Sequence, residues 1–249
     1  MLYVAKLDLT ESGMLGIDVL TPDEMESIDR RQAQQQSDWK SIPDEGQLTS
    51  FLGMELTVLP GVFPPKEDTV LLAEHLRISG AASVLDLGTG TGALAIWAAQ
   101  QGAASVVAVD IADAAIRNAN RNVERLGLER VVDVRAGDAF SSVGSSESFD
   151  IILANLPGRN KAANDDTSAA QWDTDFRAHK ALFAGARAHL RPGGTINMVK
   201  ANYPDLLEMV TLAETSGYEV TVVGQSVPEE GDPRRYYVLS LSSSHPGDV

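Results

Sequence analysis

From Glu67 onward, short apolar segments alternate regularly with amphipathic ones, and few folds accommodate that order. Each apolar segment has the length of a β-strand, and Phe149 to Ala154 is almost wholly apolar. Such strands are typical of a parallel sheet that is covered by helices on both faces. Because helical segments separate most of these strands, the chain is predicted to form a doubly wound α/β sheet.

The last two predicted strands depart from this alternation. Tyr218 to Val223 and Arg235 to Leu241 follow one another without a helix between them. Parallel neighbours need a long crossover connection, whereas antiparallel neighbours need only a turn. The two segments should therefore form a hairpin, which makes the last strand antiparallel.

One strand continues directly into a glycine-rich turn and then into a helix, over Val84-Leu85-Asp86-Leu87-Gly88-Thr89-Gly90-Thr91-Gly92. Glycines let the backbone turn sharply and let a ligand approach without a Cβ in the way. Asp110 ends the next strand, about 20 residues on, where a carboxylate can accept hydrogen bonds from ribose hydroxyls. This arrangement predicts a cofactor that contains a nucleoside.

The turn alone does not define which nucleoside is bound, because Gly88 to Ala93 also fits the G-x-G-x-x-A pattern of dinucleotide-binding turns. Asp86, however, lies where its carboxylate would repel a pyrophosphate and favour a ligand with sulfonium and ammonium groups. Gly137-Asp138-Ala139 places another acid at the end of the third strand, within reach of an adenine amino group. Asn155 follows the fourth strand at the same edge.

In these segments the sequence resembles class I S-adenosylmethionine-dependent methyltransferases, and most nearly the branch of glutamine N-methyltransferases that modify translation release factors. The resemblance runs from Phe51-Leu52-Gly53 to Asn155-Leu156-Pro157, and more loosely to the end. It implies a Rossmann-like, doubly wound seven-stranded sheet with an antiparallel last strand, and S-adenosyl-L-methionine as the cofactor. The cofactor contacts that it implies are Phe63, Pro64, Thr69, Asp86, Gly88, Gly90, Asp110, Ile111, Asp138, Ala139 and Asn155.

The acceptor motif of that branch is Asn-Pro-Pro-aromatic, in which the asparagine side chain and the next carbonyl hold a planar amide or amino group. Here the motif is Asn155-Leu156-Pro157-Gly158, without the first proline and the aromatic residue, and Lys66 replaces an arginine of the branch. A stacked aromatic contributes roughly 1 kcal/mol, so its loss indicates a changed substrate. Asn155 is the predicted catalytic residue, because it would orient the nucleophile beside the methyl group.

A polar segment after this motif, from Asn160 to Thr167, is predicted to cover the substrate. Trp172 and Phe176 follow it, and either ring could stack on a substrate, face a sulfonium by a cation–π contact, or pack the start of the next helix. His179 is a candidate general base, with a packed histidine as the alternative.

Residues 1–60 are predicted to form a cap over the substrate or a dimerisation segment, and residues 61–249 the cofactor-binding catalytic domain. Within the first part, Thr21-Pro22-Asp23-Glu24 has the polar cap, proline and early acids of a helix start. Gln32 to Gln36 is predicted to be a solvated face of that helix. Strands are predicted at Met1 to Leu9 and at Phe51 to Leu59.

Composition disfavours several classes of protein. The chain has no cysteine and its histidines lack metal-ligand spacing, so no disulfide or metal site is predicted. Its net charge of −15 disfavours a nucleic-acid substrate, because such binding depends on cations that neutralise phosphates. No signal-peptide pattern or membrane-spanning segment is visible, so a cytoplasmic protein is expected.

These features predict an S-adenosylmethionine-dependent methyltransferase that acts on a nitrogen of a small molecule or a peptide, with a homodimer compatible with the sequence. Three alternatives stay open. The altered motif permits an enzyme that cyclises S-adenosylmethionine and releases methylthioadenosine. An NAD(P)-dependent oxidoreductase is weakened by Asp86 and the terminal hairpin, and a non-catalytic cofactor-binding module is weakened by the retention of Asn155.

Overall fold

A computed structural model of the chain describes residues 5–6, 19–228 and 231–244. The strands, in chain order, are β1 (Ala5–Lys6), β2 (Gln47–Phe51), β3 (Met54–Val58), β4 (Ser83–Leu87), β5 (Ser105–Asp110), β6 (Val132–Ala136), β7 (Phe149–Ala154), β8 (Leu190–Ala201), β9 (Tyr218–Gln225) and β10 (Tyr236–Ser243). The α-helices are α1 (Pro22–Lys40), α2 (Glu67–His75), α3 (Ala93–Gln100), α4 (Asp113–Arg125), α5 (Asp166–Ala169), α6 (Arg177–His189) and α7 (Leu206–Thr215). A short 3₁₀ helix, Thr174–Phe176, precedes α6. Within these described ranges, no helix is both long enough and apolar enough to cross a membrane.

The main sheet has the strand order β1-β9-β10-β8-β7-β4-β5-β6. The strands from β4 to β8 pair in parallel, whereas β10 lies antiparallel to both β8 and β9. The predicted terminal hairpin and antiparallel last strand are thus confirmed. β1 pairs with β9 at the sheet edge and adds two residues of an eighth strand to the seven that were predicted. The rest of the strand predicted at Met1 to Leu9 lies outside the described residues.

The strand predicted from Phe51 to Leu59 is confirmed over Met54–Val58, but its beginning was wrong, because Phe51 ends the separate strand β2. β2 and β3 form an antiparallel hairpin that reverses at Leu52 and Gly53, where φ is 47° and 81°. Two successive positive φ angles are what a tight hairpin turn requires. The sequence offers a glycine for the second position but gives no sign that a leucine will adopt the first.

Both faces of the sheet are apolar, because alternate residues of each central strand enter different cores. Leu85 of β4 packs in one core with Leu182 of α6 and Met209 of α7. Val84, its neighbour, packs in the other with Ile96 of α3, the helix that follows the glycine turn. This double covering explains the nearly continuous apolar strands of the sequence, and it leaves polar side chains to gather at the strand ends.

Helix α1 and the β2–β3 hairpin, which precede Gly61, pack against the elements of the main sheet and its helices. Thr21 caps α1 in a reciprocal capping box with Glu24, and Ile28 of α1 is fully buried beside the end of β8. Two buried asparagines on α4, Asn118 and Asn122, hydrogen-bond the backbone of the β3 segment. The hairpin and α1 are therefore fixed to the sheet, while the functional division at residue 60 stays a prediction.

Candidate active site

A cavity of about 510 Å³ opens at the carboxyl ends of the parallel strands. This is the edge at which open α/β sheets bind ligands, and its volume is typical of a small-molecule site. One side, here called the glycine wall, comprises residues 88–90, 110–112 and 137–139, which follow or end β4, β5 and β6. The opposite side, the motif wall, comprises residues 155–158 after β7, with Lys200, Tyr203, residues 171–173 and α1.

The structure brings most of the predicted site residues to this cavity. Those that line it are Phe63, Gly88, Gly90, Asp110, Ile111, Asp138, Ala139 and Asn155. Asp86 lies buried beneath the glycine turn, and Thr69 supports the Asn155 side chain from behind. Pro64, which follows Phe63, is also absent from the cavity lining.

The glycine turn provides open space because Gly88 and Gly90, which line the cavity, have no side chains. Gly88 and Gly90 have φ angles of 73° and 55°, in the region that favours glycine. A Cβ built on Gly90 would meet nothing nearer than the Phe63 carbonyl oxygen, at 3.9 Å. The turn is anchored to β5, since the Gly88 and Thr89 amides both donate to the Val109 carbonyl. A ligand can therefore lie directly against the backbone of this turn.

Asp110 joins the end of β5 to the same turn. One carboxylate oxygen accepts the Gly90 amide at 2.9 Å, and the other accepts the Ala112 amide at 3.0 Å. Burial raises the pKa of Asp110, while these backbone hydrogen bonds oppose that shift. Each oxygen can accept more than one hydrogen bond, so the carboxylate has the capacity to hold the two hydroxyls of a ribose.

Asp86 is almost fully buried, and only one of its oxygens is satisfied. Oδ2 accepts the Thr89 hydroxyl at 2.6 Å, whereas Oδ1 has no hydrogen-bond partner in the described part of the chain. Burial raises the pKa of Asp86 to about 7. Buried polar atoms are normally paired, so an unpaired carboxylate oxygen beneath an open turn fits a ligand that brings an ammonium and a sulfonium.

Asp138, which follows β6, makes a contact that the sequence did not indicate. Asp138 accepts a hydrogen bond from Arg177 at 2.7 Å, and both side chains are more than half exposed. Ion pairs of this exposure contribute little stability, so the pair can open. Ile111, which is 61% exposed, offers an apolar surface to the cavity on the same wall.

Asn155 is held from behind at the end of β7. Its amide nitrogen donates to the Thr69 hydroxyl at 3.1 Å and more weakly to the Asp68 carboxylate at 3.4 Å. Burial raises the pKa of Asp68. Because the amide nitrogen is already engaged, the side-chain oxygen is the atom that Asn155 can offer to a ligand.

Lys200, at the end of β8, is a cavity residue that sequence reasoning missed. Its side chain is almost fully buried, and its ammonium donates to the Leu156 carbonyl at 3.2 Å and the Pro157 carbonyl at 3.0 Å. Burial lowers the pKa of Lys200 to about 8. The available signal was a single lysine that follows the apolar segment Thr195 to Val199, at the ligand-binding edge of the sheet.

Tyr203 supplies aromatic surface close to the position at which the motif has lost it. A Cβ built on Gly158 would lie 3.3 Å from a ring carbon of Tyr203. Tyr203 is buried and lines the cavity, and the Arg159 guanidinium lies 5.4 Å from its ring centre. An aromatic ring from the segment after β8 thus adjoins the motif that lacks its own.

Helix α1 forms part of the motif wall, and the prediction of a solvated face from Gln32 to Gln36 was wrong for its two ends, although Ala33 and Gln34 are exposed. Gln32 and Gln36 are 4% and 8% exposed, and Gln32 lines the cavity. Gln32 accepts the Trp172 indole N–H at 3.2 Å, and Gln36 donates to Gln171 at 2.8 Å. The glutamines are buried because the segment after the motif provides polar partners, which the sequence of the helix cannot reveal.

The other candidate residues after the motif, Trp172, Phe176 and His179, lie in different surroundings. Trp172 lines the cavity with the Lys161 ammonium 4.3 Å from its ring centre, whereas Phe176 packs in a core. His179 is 1% exposed and does not line the cavity. Burial lowers its pKa to about 4, so the neutral ring donates Nδ1–H to Asp173 at 2.6 Å. His179 therefore cannot take a proton directly from a ligand in the cavity.

Comparison with known proteins agrees with this geometry. The family model of the methyltransferase small domain matches residues 53–222, more than half of the chain. The chain belongs to this family. The glycine turn, Asp110 and the unpaired oxygen of Asp86 fit S-adenosylmethionine as the cofactor.

Two curated relatives illustrate the similarity of this chain to known methyltransferases. The release factor glutamine methyltransferase of Bordetella pertussis is 35% identical over 166 residues, which cover 59% of this chain and 60% of that protein. The ribosomal protein L11 methyltransferase of Desulforamulus reducens is 36% identical over 117 residues, 46% of this chain and 36% of that protein. The methyltransferase thus spans three fifths or less of the length of these relatives.

Solved structures agree on the fold. The T. thermophilus 16S rRNA N2 G1207 methyltransferase, in complex with AdoMet and guanosine, superposes with a TM-score of 0.59 at 26% identity, over 80% of this chain and 50% of that one. The ribosomal protein L11 methylase of Lactobacillus delbrueckii superposes with a TM-score of 0.57 at 22% identity, over 76% and 84% of the two chains. The α/β fold with antiparallel last strands is thus common to these proteins.

Proposed function

We propose that this methyltransferase methylates a nitrogen of a small molecule or a peptide, and that Asn155 holds that nitrogen. The observation that carries the proposal is the fixed amide of Asn155. Thr69 and Asp68 accept hydrogen bonds from its nitrogen, which leaves its oxygen free to accept one from a ligand. An amine or amide N–H is the natural donor to that oxygen.

The curated relatives support a protein or peptide nitrogen as one form of the acceptor, because they are named for release factor glutamine and for ribosomal protein L11. The motif wall adds further acceptors. Lys200 donates to the carbonyls of Leu156 and Pro157, and each of these oxygens keeps a second lone pair that can accept an N–H of the acceptor.

In this mechanism S-adenosylmethionine supplies a methyl group that its sulfonium has already activated. The residues of the chain provide alignment, which can contribute on the order of 7–11 kcal/mol to a displacement of this kind. Asp110 and the glycine turn would hold the nucleoside, and Asn155 would orient the acceptor nitrogen. Helix α1 and residues 171–173, as parts of the motif wall, would restrict the access of water.

The nucleoside product tests this proposal. The full chain is incubated with S-adenosylmethionine, with and without a panel of amines and short peptides, and the products are identified by mass spectrometry. We expect S-adenosylhomocysteine only when an acceptor is present, and the added methyl group on nitrogen. Methylthioadenosine formed without any acceptor would indicate cyclisation instead, and a methyl group on oxygen would refute the nitrogen assignment.

Substitution of Asn155 tests its role in the same assay. Asn155→Ala should lower kcat more than it weakens cofactor binding, because alignment of the nucleophile acts mainly in the transition state. Asn120→Ala is the matched control, since Asn120 is exposed on α4 and away from the cavity. A normal kcat in Asn155→Ala would show that the nitrogen is held elsewhere.

A further inference from the structure

Lys200 is a buried cation whose hydrogen bonds go to the backbone rather than to a carboxylate. Its side chain is 4% exposed, and its ammonium donates to two carbonyl oxygens. Asp68, Asp173 and Asp205 lie near enough to stabilise its charge, although burial still lowers its pKa to about 8. Taking an ammonium out of water is costly, and apolar side chains at such positions are often at least as stable. The stability of the fold therefore does not explain a lysine at this position.

The register of the sheet explains why Lys200 reaches the acceptor motif. Strand β7 ends at Ala154, which pairs with Met198 of β8. Strand β8 continues past that pair to Ala201. Alternate residues of a strand point to the same face, so Lys200 points to the same face as the buried Met198. From there its ammonium reaches the backbone that follows β7.

Two successive carbonyls of the motif converge on this one ammonium. The Leu156 oxygen lies 3.2 Å from the Lys200 nitrogen, and the Pro157 oxygen lies 3.0 Å from it. Hydrogen bonds from a charged donor are about twice as strong as those from a neutral one. Because the two carbonyls share a donor, neither can rotate without losing its bond. Lys200 thus restricts the backbone between Asn155 and Gly158.

This restriction acts on groups that can receive a methyl acceptor. The Asn155 side chain is held through its nitrogen by Thr69, and its oxygen is free to accept an N–H. The Leu156 carbonyl is the next acceptor along the chain and keeps a second lone pair. Small errors in the placement of a nucleophile reduce the rate of a displacement strongly, so a fixed backbone at this point has a direct effect on methyl transfer.

We propose that Lys200 is a positioning residue for methyl transfer, which holds the two motif carbonyls so that an acceptor nitrogen at Asn155 has one orientation toward the cofactor. The inference rests on the proposed function, because that function places the acceptor nitrogen at Asn155. In this role Lys200 transfers no proton. A neutral lysine still has two N–H groups, so it can hold both carbonyls after it has lost its proton.

Lys200→Met tests this role in the full chain, since it keeps the apolar stem and removes the donors. Lys180→Met is the matched control, because Lys180 is exposed on α6 and outside the cavity. For each protein we would measure Tm, the affinity for S-adenosylhomocysteine by calorimetry, and amide hydrogen exchange in the S-adenosylhomocysteine complex by NMR. The amide to follow is that of Gly158, which donates to the Gln171 carbonyl at 3.1 Å.

We expect Lys200→Met to keep its Tm and its affinity for S-adenosylhomocysteine, because the buried charge is removed and water can reach the two half-buried carbonyls. Exchange at Gly158 should become at least tenfold faster, while the control matches the wild type. Unchanged exchange would overturn the inference. A joint fall in Tm and in affinity would also overturn it, because it would show that Lys200 only supports the fold.

Turnover separates positioning from proton transfer. With any amine or peptide of the panel above that the wild type methylates, Lys200→Met should lower kcat at least tenfold and change KM much less. A wild-type kcat that rises through pH 8, with no such rise in Lys200→Met, would show that Lys200 takes a proton and would overturn the positioning role. If the wild type methylates no nitrogen, the proposed function fails, and the exchange measurement still decides whether Lys200 holds the motif.

Discussion

Asp110 gives the sharpest test of the glycine wall. Its two oxygens each accept one backbone amide, from Gly90 and from Ala112, and have the remaining capacity to accept a ribose hydroxyl each. A hydrogen bond to a charged group contributes about 1.5–3 kcal/mol. We therefore expect Asp110→Ala to weaken the binding of S-adenosylhomocysteine by at least that amount, or roughly tenfold to 150-fold in Kd.

The stability of the free protein should respond differently. Burial raises the pKa of Asp110, which means that the folded state disfavours its charged form relative to the unfolded chain. Above the unfolded pKa of about 4, the carboxylate is therefore a net electrostatic cost to the free protein. Asp110→Ala should lose affinity at pH 8 with a much smaller change in Tm, as expected of a residue that serves binding at the expense of stability.

Isothermal titration calorimetry with S-adenosylhomocysteine provides the measurement, and thermal unfolding without ligand provides the comparison. Asp113→Ala is the matched control, because it removes the same charge three residues later, at an exposed position in the first turn of α4. Asp110→Asn keeps one acceptor oxygen and should fall between the two. An unchanged Kd in Asp110→Ala, or an equal loss in Asp113→Ala, would refute the reasoning.

Asp86, His179 and Gly158 give three further tests. Asp86→Asn should stabilise the ligand-free protein at pH 8 and have little effect near pH 4. The reason is that a folded-state pKa of about 7 makes the charged form of Asp86 increasingly costly as the pH rises between these values. Equal Tm shifts at both pH values would contradict this. His179 has a folded-state pKa of about 4, below the unfolded value of about 6.5. Stability that is present above pH 6.5 is therefore lost as the pH falls toward 4. His179→Gln should reduce that loss, as measured by urea unfolding. Gly158→Tyr should destabilise the protein by about 1–3 kcal/mol through overpacking against Tyr203. In a double-mutant cycle, Tyr203→Ala should relieve that cost. Additive effects of the two substitutions would show that the two sites are independent.

The fold and the glycine wall could be predicted because their determinants are contiguous in the sequence. Strand, turn and helix follow one another from Val84 to Gln100, and Asp110 ends the very next strand. Topology then brings the ends of parallel strands to one edge regardless of loop details. The same rule placed Asn155 in the cavity.

The motif wall could not be predicted in this way, because its members meet only in three dimensions. Gln32 and Lys200 are far apart in sequence, and each is an ordinary residue in its own segment. No periodicity distinguishes a buried glutamine that has a partner across the fold from a solvated one. Tyr203 likewise lies beside Gly158 because β7 pairs with β8. A comparison of linear motifs cannot detect this contact and shows only that the motif lacks its aromatic residue.

The two walls of the cavity come from different parts of the chain, so the motif wall can change in evolution while the glycine wall is kept. The glycine wall comes from β4, β5 and β6, whereas α1 and residues 155–173 supply much of the motif wall. These two segments contact each other through glutamine side chains and through ion pairs of Asp29 and Lys40. Substitutions at Gln32 or Gln35 of α1, which line the cavity, can therefore reshape the space at the motif wall without changing the glycine turn or Asp110. Exchange of these two segments together between family members is accordingly a practical route to new acceptors with an inherited cofactor affinity.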